Sequence, residues 1–285
     1  MGGTNPEPLI RNISDTALWA AVFRARESER PDALFHDPFA QCLAGERGER
    51  IFREVPTAAD NSWAWVMRTY LFDRMITGEV RAGADLVINL AAGLDARPYR
   101  MDLPHSLAWV EIDLPQIIAY KTEILEDERP LCELERTPLD LADTARRKET
   151  LARLAAGRRR ILVLSEGLLL YLSAEEAGEL ARDLAGAGAA VWVIDLASPG
   201  LLRMLRSTTG QHTERAGAPY RFAPAEGPAF FERYGWQTAE ARSVFTEAVE
   251  TDRVPPELAP FKEMPEPEPP FSADEVWSGV CRLTR

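Results

Sequence analysis

The chain has 285 residues, 46% of them hydrophobic and 27% charged, with a formal net charge of −12. That length accommodates one large domain, or one domain carrying a lid, in an ordinary globular composition. The acidic balance excludes an obvious nucleic-acid or membrane-surface partner, since phosphate binding needs concentrated Lys and Arg; with no membrane-length apolar run and no basic-then-apolar leader, cytosol is the default.

In chain order, residues 1–12 read as a loose tail. Ser14 is placed to cap a helix whose apolar positions Leu18, Trp19, Val22 and Phe23 recur at helical spacing. Glu27 to Pro31 ends it, and Phe35, Phe39 and Leu43 begin a second short helical region. Asn61–Val80 reads as a longer helix with an apolar face of Trp65, Met67, Leu71, Phe72, Met75 and Ile76. Arg68 lies on it, and by position alone is an exposed helical arginine.

From Asp85 to about Leu196 the pattern alternates between strand and helix. Leu86–Leu90 is a short apolar run, as in a buried parallel strand, followed by the small-residue turn Ala91-Ala92-Gly93. Asp95 then supplies an N-cap residue type, and Pro98 fits a helix start. Leu107–Asp113 is a second strand ending on acid, with a helix from Pro115. Asp113 lies twenty residues after Gly93, the spacing at which doubly wound folds set a carboxylate against ribose hydroxyls. Further strands around Leu131–Thr137, Ile161–Ser165 and Ala189–Leu196 lead to Asp140-Leu141, Glu166-Gly167 and Asp195, with helices near 116–128, 144–155 and 174–186 between them. Ser173 and Glu176 form a capping-box pattern at the last helix. One acid at a strand end is a helix cap; acids at strand after strand point to a ligand, because open α/β sheets bind there.

After Ser198 the alternation breaks. Leu201–Leu205 reads as a helical piece, Ser207–Gly217 as a polar loop, Phe230–Gly235 as a helix with a glycine stop, and Trp236–Val244 as a sixth strand. Seven prolines exclude a regular helix or central strand from Val254–Pro270, and Val276–Thr284 closes the chain as a strand. An excursion after the fifth strand is well placed to line a substrate pocket. The three cysteines are widely spaced and fit reduced thiols, and the three histidines have no metal-ligand spacing, so no metal is expected.

Three segments resemble the leucine carboxyl methyltransferase family, in particular its bacterial branch of S-adenosylmethionine-dependent methyltransferases. They are Ile13-Ser14-Asp15-Thr16-Ala17-Leu18-Trp19 with Arg24-Ala25-Arg26-Glu27, Asn89-Leu90-Ala91-Ala92-Gly93-Leu94-Asp95-Ala96-Arg97, and Glu166-Gly167-Leu168-Leu169-Leu170-Tyr171-Leu172. Two positions depart from the family pattern: Ala91-Ala92-Gly93 stands where members often carry Gly-Ala-Gly, and Ala96 where they often carry Thr. Alanine is small enough for the first to be tolerated, whereas the second removes a hydroxyl at the helix start.

The resemblance implies a class I methyltransferase fold: α/β, Rossmann-like, with a doubly wound, mostly parallel seven-stranded sheet. The expected organisation is a single domain, with residues 1–82 as a helical N-terminal cover and 83–285 as the S-adenosylmethionine-binding core, carrying a substrate-side insertion around 197–235. It further implies Arg68 near the cofactor carboxylate and Glu166 near the methionine arm. Asp113 is assigned to the ribose diol, Asp140 and Leu141 to adenine, and the turn at Ala91 and Gly93 to close backbone approach. The expected activity is methyl transfer to oxygen, on a carboxylate (or hydroxyl) of a small molecule, with no catalytic residue assigned. A carboxylate acceptor is already ionised at neutral pH and needs no strong base. Arg97 and Tyr171 are candidates to orient the acceptor, and Asp195 is left as a structural acid. Two other readings stay open: a nicotinamide-dependent Rossmann oxidoreductase, which also places an acid about twenty residues after its glycine turn, and a non-catalytic S-adenosylmethionine-binding protein. Oligomeric state is not legible.

Overall fold

The computed structural model describes residues 14–54, 62–215 and 217–285. The tail read over 1–12, the helix start at Asn61 and the Ser14 side chain expected to cap the first helix lie outside the described residues.

Leu86–Leu90, four apolar residues with Asn89, form β1 and are buried along the whole strand, as a central parallel strand requires. β2 (Ala108–Asp113) and β3 (Glu133–Pro138) extend the sheet on one side of it; β4 (Ile161–Ser165) and β5 (Val191–Ala197) extend it on the other. These five strands are parallel. β6 (Gln237–Ser243) and β7 (Ser278–Thr284) complete the order β3-β2-β1-β4-β5-β7-β6, with β7 antiparallel to both neighbours. The strand order therefore reverses between β1 and β4, and in such sheets the crevice at the carboxyl ends of those strands is the ligand position.

Side-chain alternation divides the core between the two faces. Leu86, Ile88, Val163, Trp192 and Ile194 pack with Leu180 and Leu184 of α7 (Ala174–Gly186) and Leu151 of α6 (Thr144–Ala155). Val87, Leu162, Leu164 and Val193 face Met67, Leu71, Phe72 and Ile76 of α3 (Ser62–Arg81) and Val244 and Ala248 of α10 (Val244–Glu250). A third apolar cluster joins α1 (Ser14–Ser28) and α2 (Ala40–Glu54, kinked at Gly45) to Leu94, Ala96 and Tyr99 beside the β1 turn. Each fully buried Leu, Ile, Val or Phe contributes about 1.5–3 kcal/mol, so α1 and α2 are anchored by apolar burial as well as by charge.

The capping box at Ser173 and Glu176 forms as read. Other local expectations are corrected. Asp95 is not the N-cap of α4 (Arg97–Arg100); Ala96 holds that position without a side-chain bond, while Asp95 accepts the Arg97 N–H at 2.8 Å. The expected loop 207–217 contains α9 (Gly210–Arg215), following α8 (Pro199–Thr208). Its polar sequence hides the reason: Thr209 and Thr213 are one turn apart and both hydrogen-bond the buried Tyr220 hydroxyl. The sixth strand stops at Ser243, whose hydroxyl accepts the Thr246 N–H at 3.3 Å and opens α10, a helix not anticipated from sequence. No described helix is long and apolar enough to cross a membrane, and no described group of His, Cys, Asp and Glu could hold a metal ion.

Candidate active site

The carboxyl ends of β1, β2, β4 and β5, together with α1 and α3, line an open cavity of about 1760 Å³. Pockets for one small molecule are roughly 300–1,000 Å³, so this one has room for two. Arg68, Ala91, Gly93, Asp113, Asp140, Leu141 and Glu166 all line it.

At β1 and β2 the geometry is set by the backbone. The Gly93 N–H donates to Asp113 Oδ2 and the Leu114 N–H to Asp113 Oδ1, both at 2.6 Å, fixing the carboxylate beside the turn. Burial pushes the Asp113 pKa up, outweighing these two donors. Gly93 has φ +51°, and a Cβ there would lie 3.3 Å from the Ala17 Cβ of α1. The helix thus packs directly on the turn, and glycine permits it. Ala91 also has φ 51°, so alanine is accommodated there at a backbone cost that glycine would not carry.

At β4 and β5 the site is an ion-pair lattice. Arg68 Nε donates to Glu166 Oε1 and Arg68 Nη1 to Asp195 Oδ2, each at 3.2 Å, and the guanidinium lies 4.4 Å over the Trp65 ring. Arg68 therefore lines the cavity, largely buried, and is not an exposed helical arginine. Burial works against its charge, but Asp195 and Glu166 outweigh that and hold its pKa above the ordinary value. Gly167, with φ +68°, leaves the space that Arg68 crosses and donates its N–H to Asp195 Oδ1 at 2.7 Å. Asp195, read as a structural acid, thus lies in the site; an acid ending the strand beside β4 was the signal available. Its pKa is raised by burial against the pull of Arg68.

Arg97 is buried and fully engaged, contacting Glu166 Oε2 at 2.9 Å, Asp95 Oδ2 at 2.8 Å and Asp73 Oδ1 at 2.6 Å. It lines the cavity and holds Glu166 in place, its guanidinium committed to three carboxylates. At β3, Asp140 is exposed and its Oδ1 accepts the Ala142 N–H at 2.9 Å, while the Leu141 carbonyl accepts from Arg147 Nη1 at 2.7 Å. Tyr171 hydrogen-bonds Thr16 of α1, and its ring lies 5.6 Å from that of Tyr220. Burial pushes both tyrosine pKa values up.

Whether these residues fit S-adenosylmethionine is decided by their donors. A fixed carboxylate suits a ribose diol, a guanidinium between two acids suits an amino-acid zwitterion, and the Trp19 side chain lines the cavity with its indole N–H buried and without a hydrogen-bond partner among the described residues. A buried unpaired donor of this kind costs free energy until a ligand accepts from it. The residues fit.

A doubly wound sheet with one reversed strand, and an acid-ringed cavity at its switch point, define the class I methyltransferase fold. A solved structure from Thermobifida fusca, described as a methyltransferase, has this fold, with TM-score 0.55 at 15% identity over 99% of this chain and 100% of that one. The profile of the leucine carboxyl methyltransferase family matches residues 17–185, and the chain belongs to that family. A relative from Frankia alni, named as an S-adenosyl-L-methionine-dependent methyltransferase, is 33% identical over 258 residues, 85% of this chain and 89% of that protein. One of the same name from Mycobacteroides abscessus is 34% identical over 193 residues; the aligned part is 62% of each chain. By family the chain is an S-adenosyl-L-methionine-dependent methyltransferase, and neither the nicotinamide nor the non-catalytic reading is favoured.

Proposed function

We propose that the chain methylates a carboxylate oxygen of a small molecule, with Asp113 on the cofactor ribose, Asp140 and Leu141 at adenine, and Arg68 and Glu166 on the amino-acid arm. The backbone turn at Ala91 and Gly93 would let the cofactor approach closely. Residues 14–81 act as a helical cover on a single α/β domain in this reading.

The observation that carries the acceptor assignment is the tyrosine pair. Tyr171 and Tyr220 line the cavity with their hydroxyls already held, Tyr171 by Thr16 and Tyr220 by Thr209 and Thr213, and burial raises both pKa values further above neutrality. They are therefore unsuited to remove a proton from an acceptor. A carboxylate acceptor matches that, being ionised without help. When bound, S-adenosylmethionine supplies an electrophilic methyl group on a sulfonium. The protein's part is orientation: Arg97 fixes Glu166, Arg68 is braced between two acids, and the cover excludes water. Holding nucleophile and methyl in line is worth on the order of 7–11 kcal/mol, so the reaction needs no general base.

Calorimetric titration with S-adenosylmethionine and with NAD tests the cofactor, and labelled methyl transfer to panels of monocarboxylic acids and phenols tests the acceptor. Transfer to acids is expected. Transfer confined to phenols would sink the carboxylate assignment.

A further inference from the structure

The far side of the cavity is built differently from its polar end. Its walls come from α8, α10 and the proline-rich segment 254–270. Six large hydrophobic side chains are exposed among the described residues, and four of them line this cavity: Met204 (40%), Phe261 (48%), Met264 (60%) and Val276 (53%). Single exposed apolar side chains are ordinary; a convergence on one concavity marks a binding surface.

That wall is fastened in place. Glu266 accepts from Trp277 Nε1 at 2.7 Å and from Thr246 Oγ1 at 2.5 Å, tying the segment to the start of β7 and to α10. The Phe271 N–H donates to the Ala225 carbonyl at 2.7 Å. Closely spaced prolines limit the alternatives open to the segment, so little ordering remains when a ligand arrives. Of the charged side chains on this wall, Asp274 pairs with Arg203 at 2.6 Å and Lys262 lies 3.7 Å from Asp252.

We propose that this compartment takes the apolar body of the methyl acceptor. Resting on the carboxylate reading above, the proposal makes the substrate class an amphipathic monocarboxylic acid with a long-chain or polycyclic body, its carboxylate toward Tyr171 and Tyr220. The proline-rich segment is then a specificity element. The volume agrees, since a cofactor alone would leave much of the 1760 Å³ unfilled.

The test is calorimetric binding of dodecanoate, butanoate and a leucine-terminated peptide to the full chain saturated with S-adenosylhomocysteine. Dodecanoate should bind at least roughly tenfold tighter than butanoate. The double substitution Phe261→Ser with Met264→Ser, at exposed positions outside the core, should remove most of that preference and leave S-adenosylmethionine affinity unchanged. Equal affinity for the two acids, an unaltered preference in the double variant, or tighter binding of the peptide would overturn the proposal. Methyl transfer to dodecanoate is followed separately. A chain-length-dependent complex that is never methylated upholds the compartment and removes the carboxylate reading.

Discussion

The Gly93 N–H reaches the Asp113 carboxylate across 2.6 Å, so the turn after β1 and the end of β2 are one unit. Asp113→Ala should therefore weaken S-adenosylmethionine binding by about 1.5–3 kcal/mol, the worth of hydrogen bonds to a charged group. Unchanged calorimetric affinity in a folded variant would remove Asp113 from the site.

The same residue gives a pH dependence. Burial raises the Asp113 pKa, so on acidification it protonates earlier than an exposed aspartate would. Cofactor affinity should fall as pH drops through that raised pKa, because the diol loses its charged acceptor. The fold itself should respond oppositely. With the folded pKa above the unfolded one, Asp113 contributes stability at low pH that is lost as pH rises through the folded value. Calorimetry and denaturant titration at stepped pH, on the parent and on Asp113→Asn, should show both trends reduced in the variant, the remainder of the stability trend coming from Asp195, which burial also raises.

Ala91 and Gly93 share φ near +51°, yet substitutions there should act in opposite directions. Ala91→Gly removes a left-handed alanine and should stabilise by about 0.5–1 kcal/mol, after the cost of freeing the unfolded chain. Gly93→Ala adds that strain and drives a Cβ toward Ala17 of α1, so it should destabilise and loosen the helix. Denaturation midpoints that moved the same way in both variants would contradict this.

Much of the sheet was legible because β1, β4 and β5 are largely apolar runs and β2, β4 and β5 carry acids at or beside their carboxyl ends, and that pattern belongs to a parallel ligand-binding sheet. Asp113, Arg68 and Glu166 were found from spacing and resemblance, and the structure brings them to one cavity. Asp195 was passed over because a single acid ending a strand has an ordinary structural explanation; only its contacts with Arg68 and Gly167 distinguish it. α9 was missed because the residue it turns toward Tyr220 is Thr213, not an apolar side chain. The proline-rich segment was readable as irregular, but nothing local reveals that Met264 and Phe261 turn toward a cavity built by distant elements.

Asp140 and Glu166 follow different strands and should serve different arms of the ligand. Asp140→Ala should weaken binding of free adenosine and of the whole cofactor alike. Glu166→Ala should weaken the cofactor roughly tenfold or more while sparing adenosine, since its partners Arg68 and Arg97 lie with it at the β4 end. Equal loss of adenosine in both variants would end this division of roles.

The last prediction concerns the cover. Ala17 packs on the Gly93 turn, Arg24 Nη2 donates to the Leu94 carbonyl at 2.6 Å, and Thr16 bonds Tyr171. α1 thus touches both the cofactor turn and the acceptor end. Trp19, Val22 and Phe23 are also buried with Leu43 and Ile51 of α2, so deleting residues 1–27 would strip the core as well as the cover and could not separate the two roles. Hydrogen exchange can, because it reads local opening in the intact chain. Closure that shields a methyl sulfonium from water predicts that S-adenosylmethionine slows exchange in residues 14–26 as well as in the Leu90–Asp95 turn. Thr16→Val, which removes the link to Tyr171, should shrink the gain in α1 and leave the turn protected. Protection confined to the turn in the parent would mean that α1 is packing alone.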